Sequence, residues 1–446
     1  MTLFYTFTNR RVRLVESLLP SCYFKAMGER VRTRIESMAF KGYGVSRIDG
    51  KVVFIPDSAI GDEVWVEIVE EKKNYSTGKL VEILAPSSWR VEPPCPYFGT
   101  CGGCQWQHID YAQQAELKKE ILKDILMRLG KLKEIPPITA FSSPDPYDYR
   151  TRVQLKVKGE KLGYYQDRSH QLVDIERCPI AHPLVNQIIS LLRKERLLLS
   201  SIEEIDINVS PEEGKGVLIL CVLKTSRGLE ISARQFLKSH PILKGITTLK
   251  ERQTASLGKP HLNFTIPLNF TLRTSPGGFF QVNLKQNDRL IQKVLEFSRG
   301  QRNEGALDLY SGVGNFTLPL ATVTQKIWGI EENAVAVNDA RFNAQFNGIE
   351  NVGFIRGKVE EVLKKWKREK PDLIILDPPR TGCKGVVEQV TGLKPKRIVY
   401  VSCEPTILAR DLRLFSDRGY FLRELALIDM FPQTYHMEVV GLLQEG

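Results

Sequence analysis

Five short apolar runs alternate with helical stretches in the last third of the chain, and no other feature constrains the fold as strongly. The runs all lie after residue 300 and read ALDLY, IWGIE, VGFIRG, DLIILD and RIVYVS. Short apolar strands separated by helices are typical of a parallel sheet with helices on both faces. We therefore predict a doubly wound, Rossmann-like α/β domain over residues 266–446. In such domains, ligands bind at the carboxyl ends of the strands.

Three further regions precede this domain. Between residues 30 and 88, short alternating segments separated by glycine turns predict a small β-barrel, which could bind RNA or serve as a structural cap. Residues 89–265 mix strand and helix patterns and predict an α+β domain. Within it, apolar residues every four positions predict a helix over about 116–133, which we expect to pack on the C-terminal domain. Residues 1–29 read as a basic extension.

Charge and hydropathy exclude several classes of protein. The 446 residues carry a net charge of +11, with 42% hydrophobic and 26% charged residues, which is ordinary for a soluble globular protein. No apolar run is long enough to cross a bilayer, and the N-terminus lacks the pattern of a secretory signal. We therefore expect a cytoplasmic protein without a membrane partner. The excess of basic residues favours a polyanionic partner such as RNA.

The run ALDLYSGVGNF joins a predicted strand, 306–310, to a helix expected to begin near Asn315. Gly312 and Gly314 in the turn would let the backbone approach a ligand closely. The next strand ends in Glu331, whose carboxylate can accept hydrogen bonds from both hydroxyls of a ribose. The third glycine of a dinucleotide fingerprint is absent. This pattern favours a nucleoside without a pyrophosphate, such as S-adenosylmethionine, and an ordinary structural turn is the alternative.

The fourth strand of the domain, DLIILDPPR, delivers Asp377 just before two prolines. Prolines stiffen a turn and fix the direction of the preceding carboxylate, which suits a ligand-orienting role. The same turn could merely cap a helix or form a loop. Asp377 is thus a candidate cofactor-binding residue at the same sheet edge as Glu331.

A cysteine and a glutamate near the C-terminus form a candidate reacting pair. Cys403 follows the fifth strand, with a helix expected just after Pro405, and a helix N-terminus lowers a thiol's pKa. Glu438 begins an apolar strand, where a carboxylate can be a partly desolvated base or only a boundary charge. Buried structural cysteines are also common.

A thiolate and a base beside a methyl donor fit one reaction well. Carbon 5 of uracil is too weakly nucleophilic to take a methyl group unaided, but thiolate addition at C6 makes it electron-rich. A base must then remove the C5 proton so that the thiolate can leave. Methylation of an amine needs neither group. The pair therefore favours uracil C5 methylation.

Four cysteines form a candidate metal site. Three lie within ten residues and the fourth is more distant: Cys95, Cys101, Cys104 and Cys178. In a reducing compartment such a set indicates a metal site rather than disulfides. Four thiolates suit zinc or a [4Fe–4S] cluster, and the spacing does not distinguish them.

Taken together, these features resemble the bacterial RNA 5-methyluridine methyltransferases, specifically the branch that modifies uridine in 23S ribosomal RNA. The resemblance covers about residues 30–446. It rests on an ordered set of motifs: KGYGVSRIDGKVVFIPDSAIGDEV, CPYFGTCGGC, GGFFQVN, LDLYSGVGNFTLP, LDPPRTG, VYVSCEPTILARDL and DMFPQTYHMEVV. The first motif resembles a TRAM domain, an RNA-binding barrel of OB-like form.

The resemblance implies specific roles for these residues. It implies a [4Fe–4S] cluster on the four cysteines, Cys403 as nucleophile and Glu438 as the base. It implies S-adenosylmethionine contacts at Gln281, Tyr310, Asn315, Glu331 and Asp377. Lys358 departs from the family pattern near the adenine and is not expected to be a ligand. We expect 23S rRNA as substrate and a monomer; transfer RNA and a non-catalytic iron–sulfur RNA-binding role are the alternatives.

Overall fold

The computed structural model describes residues 30–446 apart from 223–225 and 252. The predicted basic extension therefore lies outside the described residues. The N-terminal region forms a six-stranded sheet in the order β1-β5-β6-β4-β3-β2. Its strands are β1 (Arg30–Arg34), β2 (Ser37–Ala39), β3 (Tyr43–Ile48), β4 (Lys51–Ile55), β5 (Glu63–Glu71) and β6 (Tyr75–Ala85). Alternate residues such as Val64 and Val66 point into a small apolar core, because successive side chains of a β-strand point to opposite faces of the sheet.

The first helix, α1 (Tyr111–Arg128), begins and ends about five residues before the predicted span. The side chain of Asp110 caps it by accepting a hydrogen bond from the Ala112 N–H at 3.1 Å. The apolar periodicity of the sequence does not reveal where α1 begins, because the first turn of the helix is mostly polar. The buried face of α1 shares one apolar core with residues of the C-terminal domain.

The central region is built around a seven-stranded sheet in the order β10-β9-β8-β11-β12-β13-β14. Its elements are β8 (Arg152–Lys158), β9 (Lys161–Tyr165), β10 (Leu172–Asp174), α2 (Pro183–Leu192), α3 (Arg196–Leu199), β11 (Ile202–Ser210), β12 (Lys215–Val222), α4 (Arg227–Ser239), β13 (Leu243–Lys250) and β14 (Gln253–Gly258). A two-stranded hairpin, β15 (Leu262–Ile266) and β16 (Phe270–Thr274), leads into the C-terminal domain.

The C-terminal domain is an eight-stranded sheet in the order β19-β18-β17-β20-β21-β23-β22-β7. Its strands are β17 (Gly305–Leu309), β18 (Lys326–Glu331), β19 (Val352–Arg356), β20 (Leu373–Leu376), β21 (Arg397–Ser402), β22 (Tyr420–Ile428) and β23 (Glu438–Glu445). Its helices are α5 (Leu284–Ser298), α6 (Thr317–Ala321), α7 (Ala334–Phe346), α8 (Val359–Lys364), α9 (Val387–Gly392) and α10 (Pro405–Ser416). The predicted alternation of parallel strands and helices is confirmed.

One edge strand of this sheet comes from outside the predicted C-terminal domain. Strand β7 (Ile138–Phe141) pairs in parallel with β22, although its residues fall within the predicted 89–265 segment. The pairing is a long-range contact that periodicity along the chain does not reveal. None of the helices in the described part of the chain is long and apolar enough to cross a membrane.

A buried ion pair joins α1 to the loop that precedes β23. Lys118 and Asp429 are both fully buried, with Nζ 2.6 Å from Oδ1. Lys118 also donates to the Phe431 carbonyl at 3.1 Å, and the Tyr111 hydroxyl donates to Asp429 at 2.9 Å. Because every charge here has hydrogen-bond partners, the pair fixes the geometry of the loop.

We expect Lys118→Met to destabilise the protein by about 3–5 kcal/mol, because it leaves the Asp429 carboxylate buried without its cation. Urea unfolding of the full chain, followed by circular dichroism, measures the change. Lys119→Met is the matched control on the same helix, since Lys119 pairs only with the exposed Glu116. The control should cost less than about 1 kcal/mol. Equal losses for both variants would contradict the structural role of the pair.

Candidate active site

The sequence-predicted polar residues collect at the carboxyl edge of the parallel strands. Tyr310 follows β17, Glu331 ends β18, Asp377 follows β20 and Cys403 follows β21. Glu438 is the first residue of β23, which runs antiparallel to β21, so it meets the same edge. Parallel strands that share an edge bring their terminal side chains together.

A cavity at this edge is lined by four of the five predicted cofactor-binding residues: Gln281, Tyr310, Asn315 and Asp377. The fifth, Glu331, accepts hydrogen bonds from the backbone N–H groups of Gly312 at 3.1 Å and Asn333 at 2.7 Å. The Asn315 side chain exchanges two amide hydrogen bonds with Asn287 at 2.9 and 3.0 Å. Sequence reasoning without the family motif would have missed Gln281, because it precedes a helix.

The turn after β17 needs its glycines. Gly312 and Gly314 have φ angles of 54° and 95°, a region that side chains rarely adopt. A Cβ on Gly314 would also lie 2.5 Å from the Leu318 side chain. Helix α6 begins at Thr317, two residues later than the sequence predicts, because Asn315 and Phe316 complete the turn.

Asp308 belongs to this site although the sequence analysis did not select it. Its side chain is completely buried and one oxygen accepts a hydrogen bond from Thr317 at 2.5 Å. The other oxygen and the Ser311 hydroxyl have no hydrogen-bond partner among the described residues. Burial raises the pKa of Asp308 to about 7. The sequence does contain a signal for Asp308, because an acidic residue within an otherwise apolar strand indicates a buried carboxyl group.

The thiol of Cys403 does not have the lowered pKa that the helix N-terminus predicts. Burial, followed by the charges of Glu438 and Asp377, raises its pKa to about 12, and the positive charge of Arg380 opposes the shift. Helix α10 does begin at Pro405, as predicted. The thiol pKa is raised rather than lowered because desolvation and two nearby carboxylates outweigh the effect of one helix N-terminus.

Glu438 is buried beside this thiol. Its side chain lies in the interior, and burial together with the charge of Asp377 raises its pKa well above the ordinary range. Arg380 lowers it. A carboxylate with a raised pKa binds a proton more tightly once it is ionised, which is a property that suits a general base.

All four predicted metal-ligating cysteines line one cavity of about 300 Å³. Burial raises the pKa of Cys101 to about 11 and that of Cys104 to about 12, and nearby thiols add to both shifts. Within the described residues, no group of three or more such side chains is close enough to hold a single metal ion. Zinc requires four sulfurs within about 2.3 Å of one ion. The four thiols are the donor set that a [4Fe–4S] cluster takes.

The fold and this site are those of an α/β methyltransferase with a cysteine at the carboxyl edge of its sheet. A sequence model described as tRNA (uracil-5-)-methyltransferase matches residues 110–445, so the chain belongs to that family. A TRAM domain model matches residues 25–81. The protein is therefore an RNA methyltransferase.

Several relatives share most of their length with this chain. An uncharacterized RNA methyltransferase of Caldanaerobacter subterraneus subsp. tengcongensis is 38% identical, over 94% of this chain and 98% of its own. One of Aquifex aeolicus is 34% identical, over 93% of this chain and 98% of its own.

A solved structure of similar form comes from Pyrococcus abyssi. It is a tRNA (uracil-54, C5)-methyltransferase in complex with S-adenosyl-L-homocysteine, with a TM-score of 0.75 and 26% identity. The match covers 92% of this chain and 99% of that one. The likeness therefore extends across all three regions of the fold.

Proposed function

We propose that this enzyme transfers a methyl group from S-adenosylmethionine to C5 of a uridine in RNA. The observation that carries the proposal is a half-buried thiol, Cys403, beside a buried carboxyl group, Glu438, at the carboxyl edge of the parallel strands. Membership of the uracil-5-methyltransferase family supports the same reaction. Neither residue would be needed to methylate an amine or a hydroxyl.

The proposed reaction proceeds through a covalent enzyme–RNA adduct. Cys403 gives its proton to water, and its sulfur bonds to C6 while the electron pair of the C5–C6 double bond moves into an enolate. When bound, S-adenosylmethionine would supply the methyl group: C5 bonds to it as the sulfonium S–CH3 bond breaks, which leaves S-adenosylhomocysteine. Glu438 removes the C5 proton, the double bond re-forms and the thiolate leaves. The positive charge of Arg380 would stabilise the thiolate before addition.

The cofactor would occupy the cavity beside the glycine turn. In this proposal Glu331 accepts from the ribose hydroxyls, while Gln281, Tyr310, Asn315 and Asp377 line the rest of the site. The Ser311 hydroxyl lines this cavity without a hydrogen-bond partner among the described residues, so it supplies a further polar group there. The ligand of the P. abyssi enzyme, S-adenosyl-L-homocysteine, is the product that this cofactor would leave.

We further propose that the four cysteines hold a [4Fe–4S] cluster. Their shared cavity and the chemistry of four thiolates support this assignment. Cys95, Cys101, Cys104 and Cys178 would be its ligands. Protein purified without oxygen should then show broad iron–sulfur absorbance, and a colourless protein with stoichiometric zinc would contradict the assignment.

We propose 23S rRNA as the substrate, acted on in the cytoplasm by a monomer, with the N-terminal region and the net charge of +11 holding the RNA. Transfer RNA is the second candidate, favoured by the likeness to the P. abyssi enzyme. In either case the target base must leave its stack to reach Cys403.

The substrate is tested by mapping 5-methyluridine in both RNA pools of a deletion strain. We expect one 5-methyluridine to disappear from 23S rRNA and to return when the gene is restored. Loss from transfer RNA alone would overturn the choice of substrate but not the reaction. Loss from neither pool would contradict the proposed function.

A further inference from the structure

The cysteine loop, residues 95–106, is bonded directly to the catalytic loop, residues 429–437. The backbone N–H groups of Gln105 and Trp106 both donate to the carbonyl of Gln433, at 3.1 and 3.0 Å. Gln433 is buried and has a φ of 68°, so its backbone is held in a conformation that a free loop would rarely keep. The cysteine loop thus supplies two of the contacts that maintain this conformation.

The two loops also share a cavity wall. The cavity that the four cysteines line is bordered on its other side by Phe431, Thr434 and His436 of the catalytic loop. These residues are internally connected, because the Thr434 hydroxyl donates to the Phe431 carbonyl and accepts from the His436 N–H, at 2.8 and 3.2 Å. Whatever fills the cysteine cavity therefore packs against this loop.

The catalytic loop closes the strand pair that carries the proposed base. Its two ends continue into Ile428, the last residue of β22, and Glu438, the first residue of β23, and these two residues face each other in the ladder. A displacement of the loop is therefore transmitted first to the end of the ladder where Glu438 lies.

The loop beside the proposed nucleophile, Cys403, is held in place by a different set of hydrogen bonds. Asp411 on α10 accepts hydrogen bonds from the Cys383 N–H at 2.8 Å and the Tyr400 hydroxyl at 2.7 Å. These bonds hold the 377–383 loop, which carries Arg380, against the helix that follows Cys403. Arg380 itself lines the cysteine cavity, but the bonds that hold its loop come from Asp411, which does not line that cavity.

We infer that the filled four-cysteine site holds the catalytic loop in place, so that losing its contents slows C5 proton removal by Glu438 more than it slows adduct formation by Cys403. The inference rests on the proposed function, and it gives the cysteine site a positioning role in one step of the reaction. Cluster-free enzyme should therefore accumulate the covalent RNA adduct.

The test compares full-length protein purified anaerobically with the same protein after chelation of its iron. Each is mixed with S-adenosylmethionine and RNA containing ordinary uridine, and the denaturation-stable adduct is followed on gels. Hydrogen exchange is measured in parallel by mass spectrometry. We expect a several-fold larger adduct fraction without the cluster, with faster exchange in 429–438 and unchanged exchange in 397–411. Equal loss of both steps, or unchanged exchange in 429–438, would overturn the inference.

A substitution in the cysteine loop tests its connection to the catalytic loop while all four cysteines remain. Gln105→Pro removes one N–H donor to Gln433, whereas Gln105→Ala keeps that donor and is the matched control. If both variants keep the iron content of the wild type, only the proline variant should accumulate the covalent RNA adduct. Identical adduct levels in the two variants would contradict the proposed connection between the two loops. A cluster-loaded enzyme that forms no adduct with 5-fluorouridine RNA would instead contradict the proposed function itself.

Discussion

Cys403→Ala should abolish both methyl transfer and the covalent adduct with RNA. Without the sulfur, C5 of uracil remains too weakly nucleophilic, and we expect turnover to fall on the order of 10⁴-fold or more. The substitution removes a half-buried side chain at the end of β21, so the fold should survive it. Retained cofactor binding would confirm that only the chemistry is lost.

The decisive measurement uses RNA that contains 5-fluorouridine, together with S-adenosylmethionine. Fluorine cannot be removed as a proton, so the wild-type adduct should accumulate and survive denaturation. Cys221→Ala is the matched control, because Cys221 is a half-buried thiol in β12 of the central sheet. The control should form the adduct normally. Full turnover by Cys403→Ala would exclude covalent catalysis, and absence of any adduct with wild-type protein would favour a non-catalytic RNA-binding role.

The order of strands and the position of the site could be predicted because both depend on local pattern. Apolar runs of strand length, followed by helices, determine where each parallel strand ends. The chain places Glu331, Asp377 and Cys403 directly after or at those ends, so they had to meet at one edge. Their proximity follows from the handedness and order of such sheets rather than from any single motif.

Features that depend on contacts between distant segments could not be predicted. The pairing of β7 with β22 joins residues almost 290 positions apart, and no periodicity along the chain encodes it. The hydrogen bond from the Gln105 N–H to the Gln433 carbonyl likewise joins segments that are far apart in the sequence. Arg380 lies within the LDPPRTG motif, but only the fold brings its positive charge near the Cys403 thiol.

The protonation of the site shows most clearly where sequence reasoning fails. A helix N-terminus after Cys403 is visible in the sequence, and alone it would lower the thiol pKa. Its burial and the facing carboxylates are tertiary features, and they reverse the sign of the shift. Burial raises the pKa of both Asp377 and Glu438. The charges of Asp308 and Glu331 add to the shift at Asp377, and the charge of Asp377 adds to the shift at Glu438.

Glu438→Gln should separate the two halves of the reaction. The amide has nearly the same shape as the carboxyl group but cannot accept the C5 proton, so methyl transfer can occur while the enzyme stays bonded to the methylated RNA. We expect a denaturation-stable adduct with ordinary uridine and a turnover about 10²–10⁴-fold below that of the wild type. Mass spectrometry of the trapped complex should find the added methyl group.

The matched control for this variant is Glu404→Gln, because Glu404 adjoins the nucleophile but directs its carboxylate to the Thr406 hydroxyl at 2.6 Å. The control should turn over without a persistent adduct. Rapid turnover by Glu438→Gln would remove this residue from the role of base. Because Glu438 is buried, we expect water to reach the C5 proton poorly, so that a group already inside the site has to take it.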